Sequence, residues 1–261
     1  MNRGDPLPGA GLKEAYCLLS EGNRQFIRRG ILKMKKTIVF ILALSLMLCI
    51  CTPGLAAGKL SVDTENFVVV SGYWSYGYCF AKVSNTGDQP IRLNAGVFEI
   101  YDEEGSPLTS SGYVNAYPSC LQPGEYAYTK VNSELTEEQL PLVDDYMLTL
   151  TGKSDKDTVV TKLPVEVEYQ PNVENGWFTY NYLTGTVTNN TDETLFDIRI
   201  VMVLLDADGN VLYLAADTLY DGLTPGSGIV FRCDVDSNFL DYYAAQGIEI
   251  ASCDAIAYIE K

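Results

Sequence analysis

Beyond residue 57, short apolar segments alternate with polar turns, and this pattern predicts an all-β chain. The longest apolar segment, Leu195 to Leu205, alternates at first and is then continuously apolar, with many β-branched residues. It predicts a strand whose inward side chains are those of Leu195, Ile198, Ile200, Met202 and Leu204. Further strands are predicted over Cys79–Ser84, Ile91–Tyr101, Tyr146–Thr151, Leu183–Thr188, Val211–Ala215, Ile229–Val235 and Ile248–Ile259. Many short strands at this spacing are typical of sandwiches or barrels.

Two segments predict short helices. Ser237 to Gln246 has helical character and is followed by Gly247, a residue that commonly ends helices. Ser133 to Asp144 is the second candidate, with Ser133 as the N-cap.

The sequence repeats itself at an offset of 104 residues. Asn85 recurs as Asn189, Asp102 as Asp206, Gly105 as Gly209 and Leu108 as Leu212, and Pro123-Gly124 returns as Pro225-Gly226. A repeat of this length indicates a duplicated domain rather than a small solenoid unit. The polar segment from Gly152 to Asp157 is the predicted linker, so the two domains are predicted as residues 58–156 and 157–261. Each has a normal size for a domain that folds independently.

Residues 34–57 have the order of a signal peptide. Lys35 and Lys36 precede an apolar run of about 15 residues, and Ala56 and Ala57 supply a cleavage site. The run is shorter than the roughly 20 residues that a membrane-spanning helix needs. We therefore expect an exported chain without stable membrane insertion after cleavage, although an uncleaved anchor stays open. Residues 1–33 precede this signal and are interpreted as an upstream extension, with Met34 as the true start.

Charge and composition narrow the function. The chain carries a formal charge of −16, and removal of the eight basic and three acidic residues before position 58 leaves 10 basic and 31 acidic residues, or −21. Such a surface disfavours nucleic acid. The chain has no His, which excludes the usual Ser-His-Asp and Cys-His catalysis and His-ligated metals. We expect no enzyme, no cofactor and no metal.

Four cysteines lie beyond residue 57. An exported chain with an even number permits disulfides, and one pair in each domain is the simplest arrangement. Cys79–Cys120 and Cys233–Cys253 are the predicted pairs. Four free thiols are the alternative.

An aromatic pattern also repeats at the offset of 104. In strand geometry Trp74, Tyr76 and Tyr78 share one face, and so do Phe178, Tyr180 and Tyr182. We call these the first and second aromatic ladders. An outward ladder could stack on sugar rings or dock a protein. The alternatives are that Gly72 and Gly176 mark bends that change the parity, or that the neighbouring domain covers the ladder.

Acidic turns give a weaker signal. Asp206-Ala207-Asp208-Gly209-Asn210 has some likeness to a calcium loop, but Val211 and Leu212 follow at once and break the pattern of ligands. A hairpin turn is favoured, with weak calcium binding at a domain edge left open.

Residues 183–231 resemble the FxLYD domain of bacterial exported and surface proteins. The motif that names this family is nearly intact in the first repeat as Phe98-Glu99-Ile100-Tyr101-Asp102, whereas the second repeat has Met202-Val203-Leu204-Leu205-Asp206. The resemblance implies two tandem immunoglobulin-like β-sandwiches and no catalytic activity. It implies no site, because the family has no agreed biochemical role.

Together these features predict an exported, extracellular or cell-surface binding protein of the bacterial envelope, with a protein or glycan as its partner. The alternative is a carbohydrate-binding module that uses the two aromatic ladders.

Overall fold

The computed structural model describes residues 58–261. Strands make up 61% of these described residues and only one short α-helix is present within that range, so the all-β prediction is confirmed. The predicted signal peptide (34–57) and upstream extension (1–33) lie outside the described residues. No helix in the described part is long and apolar enough to cross a bilayer.

The first half, residues 58–156, has eight strands and a 3₁₀ turn at Leu140–Leu142. Sheet A has the order β1-β2-β7-β5, and in sheet B the strand β3 lies between β8 on one side and β4 and β6 on the other. The strands are β1 (Leu60–Ser71), β2 (Ser75–Asn85), β3 (Ile91–Tyr101), β4 (Pro107–Ser111), β5 (Asn115–Tyr117), β6 (Cys120–Leu121), β7 (Tyr126–Leu135) and β8 (Asp145–Ser154).

The second half, residues 157–261, repeats this plan. Sheet D has the order β10-β11-β14, and sheet C has the order β13-β12-β15-β9. The elements are β9 (Val160–Leu163), β10 (Val165–Asn175), β11 (Phe178–Thr188), β12 (Ile198–Leu205), β13 (Val211–Leu219), β14 (Gly228–Asp234), α1 (Ser237–Gln246) and β15 (Ser252–Glu260). Sheet D therefore matches β1-β2-β7, and the first three strands of sheet C match β4-β3-β8.

Sheets A and B enclose an interior of their own. One apolar cluster lies around Phe98 and Ile100, and a second lies around Ile91 and Leu121. The strand predicted at Ile91–Tyr101 has those bounds in β3.

Strand β12 is buried on both faces. Ile200 and Met202 face sheet D, where Gly185 leaves room for them. Val201 and Val203 point the opposite way, into a cluster that also holds Phe80 of sheet A. The run is continuously apolar from Ile200 to Leu205 because sheet C lies between sheets A and D. The five predicted inward residues are all buried.

Sheet A therefore meets sheet C and α1 along a contact that we call the seam. From sheet A it receives Val68, Val70, Phe80 and Tyr128. Polar bonds reinforce it, because Tyr126 and Tyr128 both donate to one carboxylate oxygen of Asp254, over 2.9 and 2.6 Å. The interior of the second half is thus continuous with the outer face of sheet A.

Of the two predicted helices, one is present and the other is not. Helix α1 runs over the predicted residues and ends at Gly247, whose φ of 70° is left-handed. The predicted helix from Ser133 is wrong, because Ser133 belongs to β7, where it pairs with Gly77. A 3₁₀ turn follows only at Leu140–Leu142.

The predicted linker is also shorter than expected. Gly152 and Ser154 belong to β8, so only residues 155–159 join the halves. Asp155 holds this link by accepting bonds from the Thr158 amide, the Thr158 hydroxyl and Nε of Arg92. The division into two domains at residue 156 stays a prediction.

Candidate functional site

The second aromatic ladder lies on the outer face of sheet D. Leu183, Gly185 and Val187 of β11 face sheet C, so the alternate residues Phe178, Tyr180 and Tyr182 face outward, as predicted for an unbroken strand. The Tyr180 and Tyr182 rings stack at 5.7 Å with an interplanar angle of 15°.

Arginine covers the inner end of this ladder. The guanidinium carbon of Arg232 lies 4.6 Å from the centroid of the Tyr182 ring, a cation–π arrangement. Tyr182 is only 6% exposed as a result, although it lies on the solvent face. The outer end is open, with Phe178 67% exposed.

The first aromatic ladder has a different environment. Tyr78 lies on the outer face of sheet A, and its ring contacts Phe239 of α1 edge-on at 4.9 Å. Tyr76 follows Tyr78 along the strand at 5.9 Å and is half-buried, while Trp74 lies in the turn before β2 and is exposed. The second half thus covers the inner part of the first ladder, which was one of the alternatives left open by the sequence.

The residues around each ladder account for this difference. The strand pairing of sheet A matches that of sheet D, so three seam residues of sheet A have equivalent positions on the outer face of sheet D. Apolar side chains in sheet A correspond to polar or smaller ones in sheet D: Val68 to Gln170, Phe80 to Thr184, and Tyr128 to Val230. The outer face of sheet A is therefore suited to packing inside the protein, and that of sheet D to contact with water.

Each aromatic ladder is preceded by a hairpin tip that carries a further exposed aromatic side chain. Tyr73 in the β1–β2 turn is 94% exposed and Trp177 in the β10–β11 turn is 99% exposed. Gly72 lies against the side chain of Asn238 in the first turn of α1, and the Val235 amide just before α1 donates to Asn181 of β11. The β1–β2 tip therefore adjoins the start of α1, and the segment that leads into α1 is bonded to β11 four residues beyond Trp177. Tyr73 and Trp177 are not among the predicted ladder residues, because neither keeps the strand parity of the ladders.

The acidic turns are closed hairpins. Asp206 Oδ1 accepts the amides of Asp208 and Asn210, and Asp102 Oδ1 accepts those of Glu104 and Ser106. These carboxylates are thus engaged by their own turns. Among residues 58–261 no group of three or more Cys, Asp or Glu side chains has the geometry of a metal site.

The predicted disulfides are not present. All four cysteines of the described chain are free thiols. Cys79 lies in the apolar cluster around Phe98, whereas the Cys120 thiol donates to the Asp155 carbonyl. Cys253 donates to the Val167 carbonyl on β10, at one edge of sheet D, while Cys233 lies on β14 at the opposite edge. The two cysteines of each predicted pair therefore lie at separate places in the fold.

One described carboxyl group has a raised pKa. Among the described carboxyl groups, Glu65 is the one whose pKa is raised, mainly by burial against the cluster inside the first half. Its hydrogen-bond partner is Tyr146 rather than a second carboxylate.

A cleft of about 420 Å³ opens along the seam. It lies between strands β5 and β7 of the first half and strands β13 and β14 of the second. Its lining is formed by Asn115, Tyr117, Lys130, Asn132, Tyr213, Leu214, Ala215, Ala216, Cys233 and Asp234. Sequence reasoning missed this cleft, since it joins segments that lie far apart along the chain.

Comparisons with known proteins identify no family. No family model matches the chain, and no curated protein matches it. Among solved structures, a red sea bream transglutaminase aligns with 67% of this chain at 10% identity and a TM-score of 0.18. The chain spans only 27% of that structure, and a similarity this low carries no argument about fold or activity.

Proposed function

We propose that this protein is an exported, non-enzymatic binding protein of the bacterial envelope that contacts its partner through the outer face of sheet D and the adjoining hairpin tips. The observation that carries the proposal is the divergence of two equivalent faces. One is apolar and lies in the seam, while the other faces water, with Phe178 exposed, Tyr180 half-buried and Tyr182 covered by Arg232. An aromatic surface rimmed by polar side chains is typical of interaction sites.

We further propose that the halves are tandem immunoglobulin-like sandwiches of the FxLYD type. The matching strand orders support this interpretation. The named motif has a structural reason in both halves, because Phe98 and Ile100 are buried at the end of β3, and Asp102 then closes the hairpin. Met202, Leu204 and Asp206 have the same places at the end of β12.

Carbohydrate binding is the second candidate, and the geometry of the second ladder favours it. The Tyr180 and Tyr182 rings are nearly parallel, and exposed Phe178 continues the row at a tilt of 58° to Tyr180. Phe178 and the half-buried Tyr180 are the rings that a ligand along this strand would reach. Arg232 and Gln170 flank the row and offer hydrogen bonds to hydroxyl groups. A sugar chain lying along β11 would use both features.

The experiment combines a glycan array with capture of partners from envelope extracts, using wild type, Tyr180→Ala and Phe178→Ala. Tyr220→Ala is the matched control, since Tyr220 is 75% exposed and follows β13 at the end away from the ladder. Loss of binding in both ladder variants, with the control unchanged, supports the proposal. Undiminished binding by both ladder variants would overturn it, and the array decides whether the ligand is a glycan.

A further inference from the structure

The seam cleft brings polar side chains from both halves to one place. Asn115 and Lys130 come from neighbouring strands β5 and β7, where they pair directly, and Asn132 is two residues further along β7 on the same face. Tyr213 lies opposite on β13 and is fixed there, because its hydroxyl donates to the Asp234 carbonyl at 3.2 Å. Clefts at the junction of two packed units are common places for small-molecule sites.

Lys130 is the unusual member of this lining. Its Nζ lies 5.6 Å from the Tyr78 ring centroid, 6.0 Å from that of Phe80 and 5.9 Å from that of Tyr213. It donates one long hydrogen bond, 3.4 Å, to the Leu214 carbonyl. Within residues 58–261 no carboxylate oxygen lies in ion-pair range of this ammonium group, whereas Lys162 and Arg92 both have such partners.

An ammonium group offers three donors, and Leu214 takes only one of them. Burial among the rings lowers the pKa of Lys130, which reflects the loss of water without a compensating anion. Asp236 acts in the opposite direction, and Asp234 lies at the cleft, but neither forms an ion pair with Lys130.

The two halves differ at this point. Lys130 pairs with Phe80 in the first half, as Arg232 pairs with Thr184 in the second, so the two cations are equivalent. Asn132 and Asp234 are equivalent in the same way, because they pair with Tyr78 and Tyr182. The second half therefore has an acidic residue two positions from its cation, on the same face of the strand. The first half has a neutral amide there, so the charge of Lys130 has no equivalent partner.

We propose that the seam cleft binds a small hydroxylated carboxylate, such as a sugar acid, whose carboxylate accepts hydrogen bonds from Lys130. The amides of Asn115 and Asn132 then bind its hydroxyl groups, and the Tyr117 and Tyr213 rings lie beside its carbon skeleton. A cleft of about 420 Å³ is within the range of small-ligand sites. None of the residues of the second aromatic ladder lines this cleft.

Calorimetric titration of the protein with D-glucuronate tests the proposal. D-glucose is the matched control ligand, because it lacks the carboxylate. We expect glucuronate to bind at least about tenfold more tightly than glucose, the scale of a charge-assisted hydrogen bond. A glucuronate-terminated oligosaccharide forms a second arm. Binding of free glucuronate alone indicates a monomeric ligand, while tighter binding of the oligosaccharide indicates an acidic chain end.

Variants locate the site. Lys130→Met is expected to lose about tenfold or more in affinity, and Lys130→Arg to retain most of it. Asn132→Asp keeps the lysine but gives it a neighbouring carboxylate, so it should also weaken binding. Lys82→Met is the matched control, because Lys82 lies on the same face of sheet A, over Tyr126 and outside the cleft.

Three outcomes overturn the proposal: equal affinity for glucose, full affinity in Lys130→Met, or no binding of either glucuronate ligand up to about 10 mM. Circular dichroism checks that each variant is folded. If Lys130→Met does not fold, Asn132→Asp still tests the proposal. Because Tyr180→Ala does not touch the cleft, it should bind glucuronate normally.

Discussion

Asn85 and Asn189, 104 residues apart in the chain, are fully buried and make equivalent hydrogen bonds in the two halves. The Asn85 amide nitrogen donates to the carbonyls of Gln89 and Leu121. That of Asn189 donates to the carbonyls of Glu193 and Leu223. In each half the main chain of this asparagine is also hydrogen-bonded to the Pro-Gly corner, whose glycine, Gly124 or Gly226, has a positive φ. The repeat in sequence therefore marks a repeated structural joint.

Replacement of either asparagine by alanine should be strongly destabilising. Asn189→Ala removes the two hydrogen bonds that its amide donates and the two that its Oδ1 accepts from Thr191, and it opens a small cavity. We therefore expect a loss of about 2–4 kcal/mol in the free energy of unfolding. Urea denaturation measures this loss. Asn190→Ala is the matched control, since the next residue is exposed. Equal stability of the two variants would contradict the structural role of Asn189.

Gly77 should tolerate no side chain. A Cβ at this position would lie 2.4 Å from Ile100 Cδ1 and 3.0 Å from a ring carbon of Phe67. Gly77→Ala therefore overpacks the interior between sheets A and B, with an expected cost of about 1–3 kcal/mol. Gly112→Ala is the control, because nothing lies within 4 Å of its Cβ position. Thermal unfolding of both variants distinguishes them, and a Tm of Gly77→Ala equal to that of the control would disprove the close packing.

Glu65 should make stability depend on pH. Burial raises its pKa above the usual 4.5, so the folded state binds this proton more tightly than the unfolded chain does. The favourable contribution is complete below the unfolded pKa and is lost as pH rises through the folded value. Glu65→Gln should therefore stabilise the protein at pH 7, on the order of 1 kcal/mol.

The same gain in stability should shrink below about pH 4, where the Glu65 carboxyl group is largely protonated in both the folded and the unfolded state. Urea titrations at the two pH values measure it, with Glu166→Gln on the exposed face of β10 as the control. A gain that does not change with pH would show that charge on Glu65 is not its cause.

The four cysteines should react as thiols without reduction. Alkylation of the unfolded protein in the absence of reductant should modify Cys79, Cys120, Cys233 and Cys253. In the folded protein Cys79 should be protected, because burial raises its thiol pKa far above the usual value. Mass spectrometry counts the modified sites. Modification only after reduction would instead support the disulfides predicted from the sequence.

The sequence predicted local structure well where the signal was local. Turn residues at Asp206 and Gly209 and the helix end at Gly247 follow from backbone geometry, and the structure has them in those places. Strand β3 was predicted to its last residue. The long hairpin partners β1 and β10 were not predicted, since their apolar residues are interrupted by Asp63 and by several Glu.

What the sequence could not supply is the packing of one half on the other. Both aromatic ladders have the same pattern, yet Tyr78 is covered by α1 of the other half, whereas its equivalent Tyr182 is covered by Arg232 of its own sheet. The difference depends on neighbours such as Phe80 and Thr184, whose common face becomes evident only with the strand pairing. The cleft around Lys130 depends on the same packing and has no local signal.

The seam makes a last prediction, about the coupling between the two halves. Tyr128 donates to Asp254 Oδ2 at 2.6 Å, and burial raises the pKa of this phenol, which therefore stays protonated as the donor. A double-mutant cycle with Tyr128→Phe and Asp254→Asn should give a coupling of about 1.5–3 kcal/mol, because the bond is charge-assisted and shielded from water.

Lys162 and Glu125 provide the comparison, since they also join the two halves, over 3.0 Å, but about a third of each side chain is exposed. Their cycle should give less than about 1 kcal/mol because water screens the pair. Urea unfolding measures both cycles under the same conditions. If the two couplings were equal, the Tyr128–Asp254 bond would be as accessible to water as the surface pair, and the seam could not be a dry contact at this point.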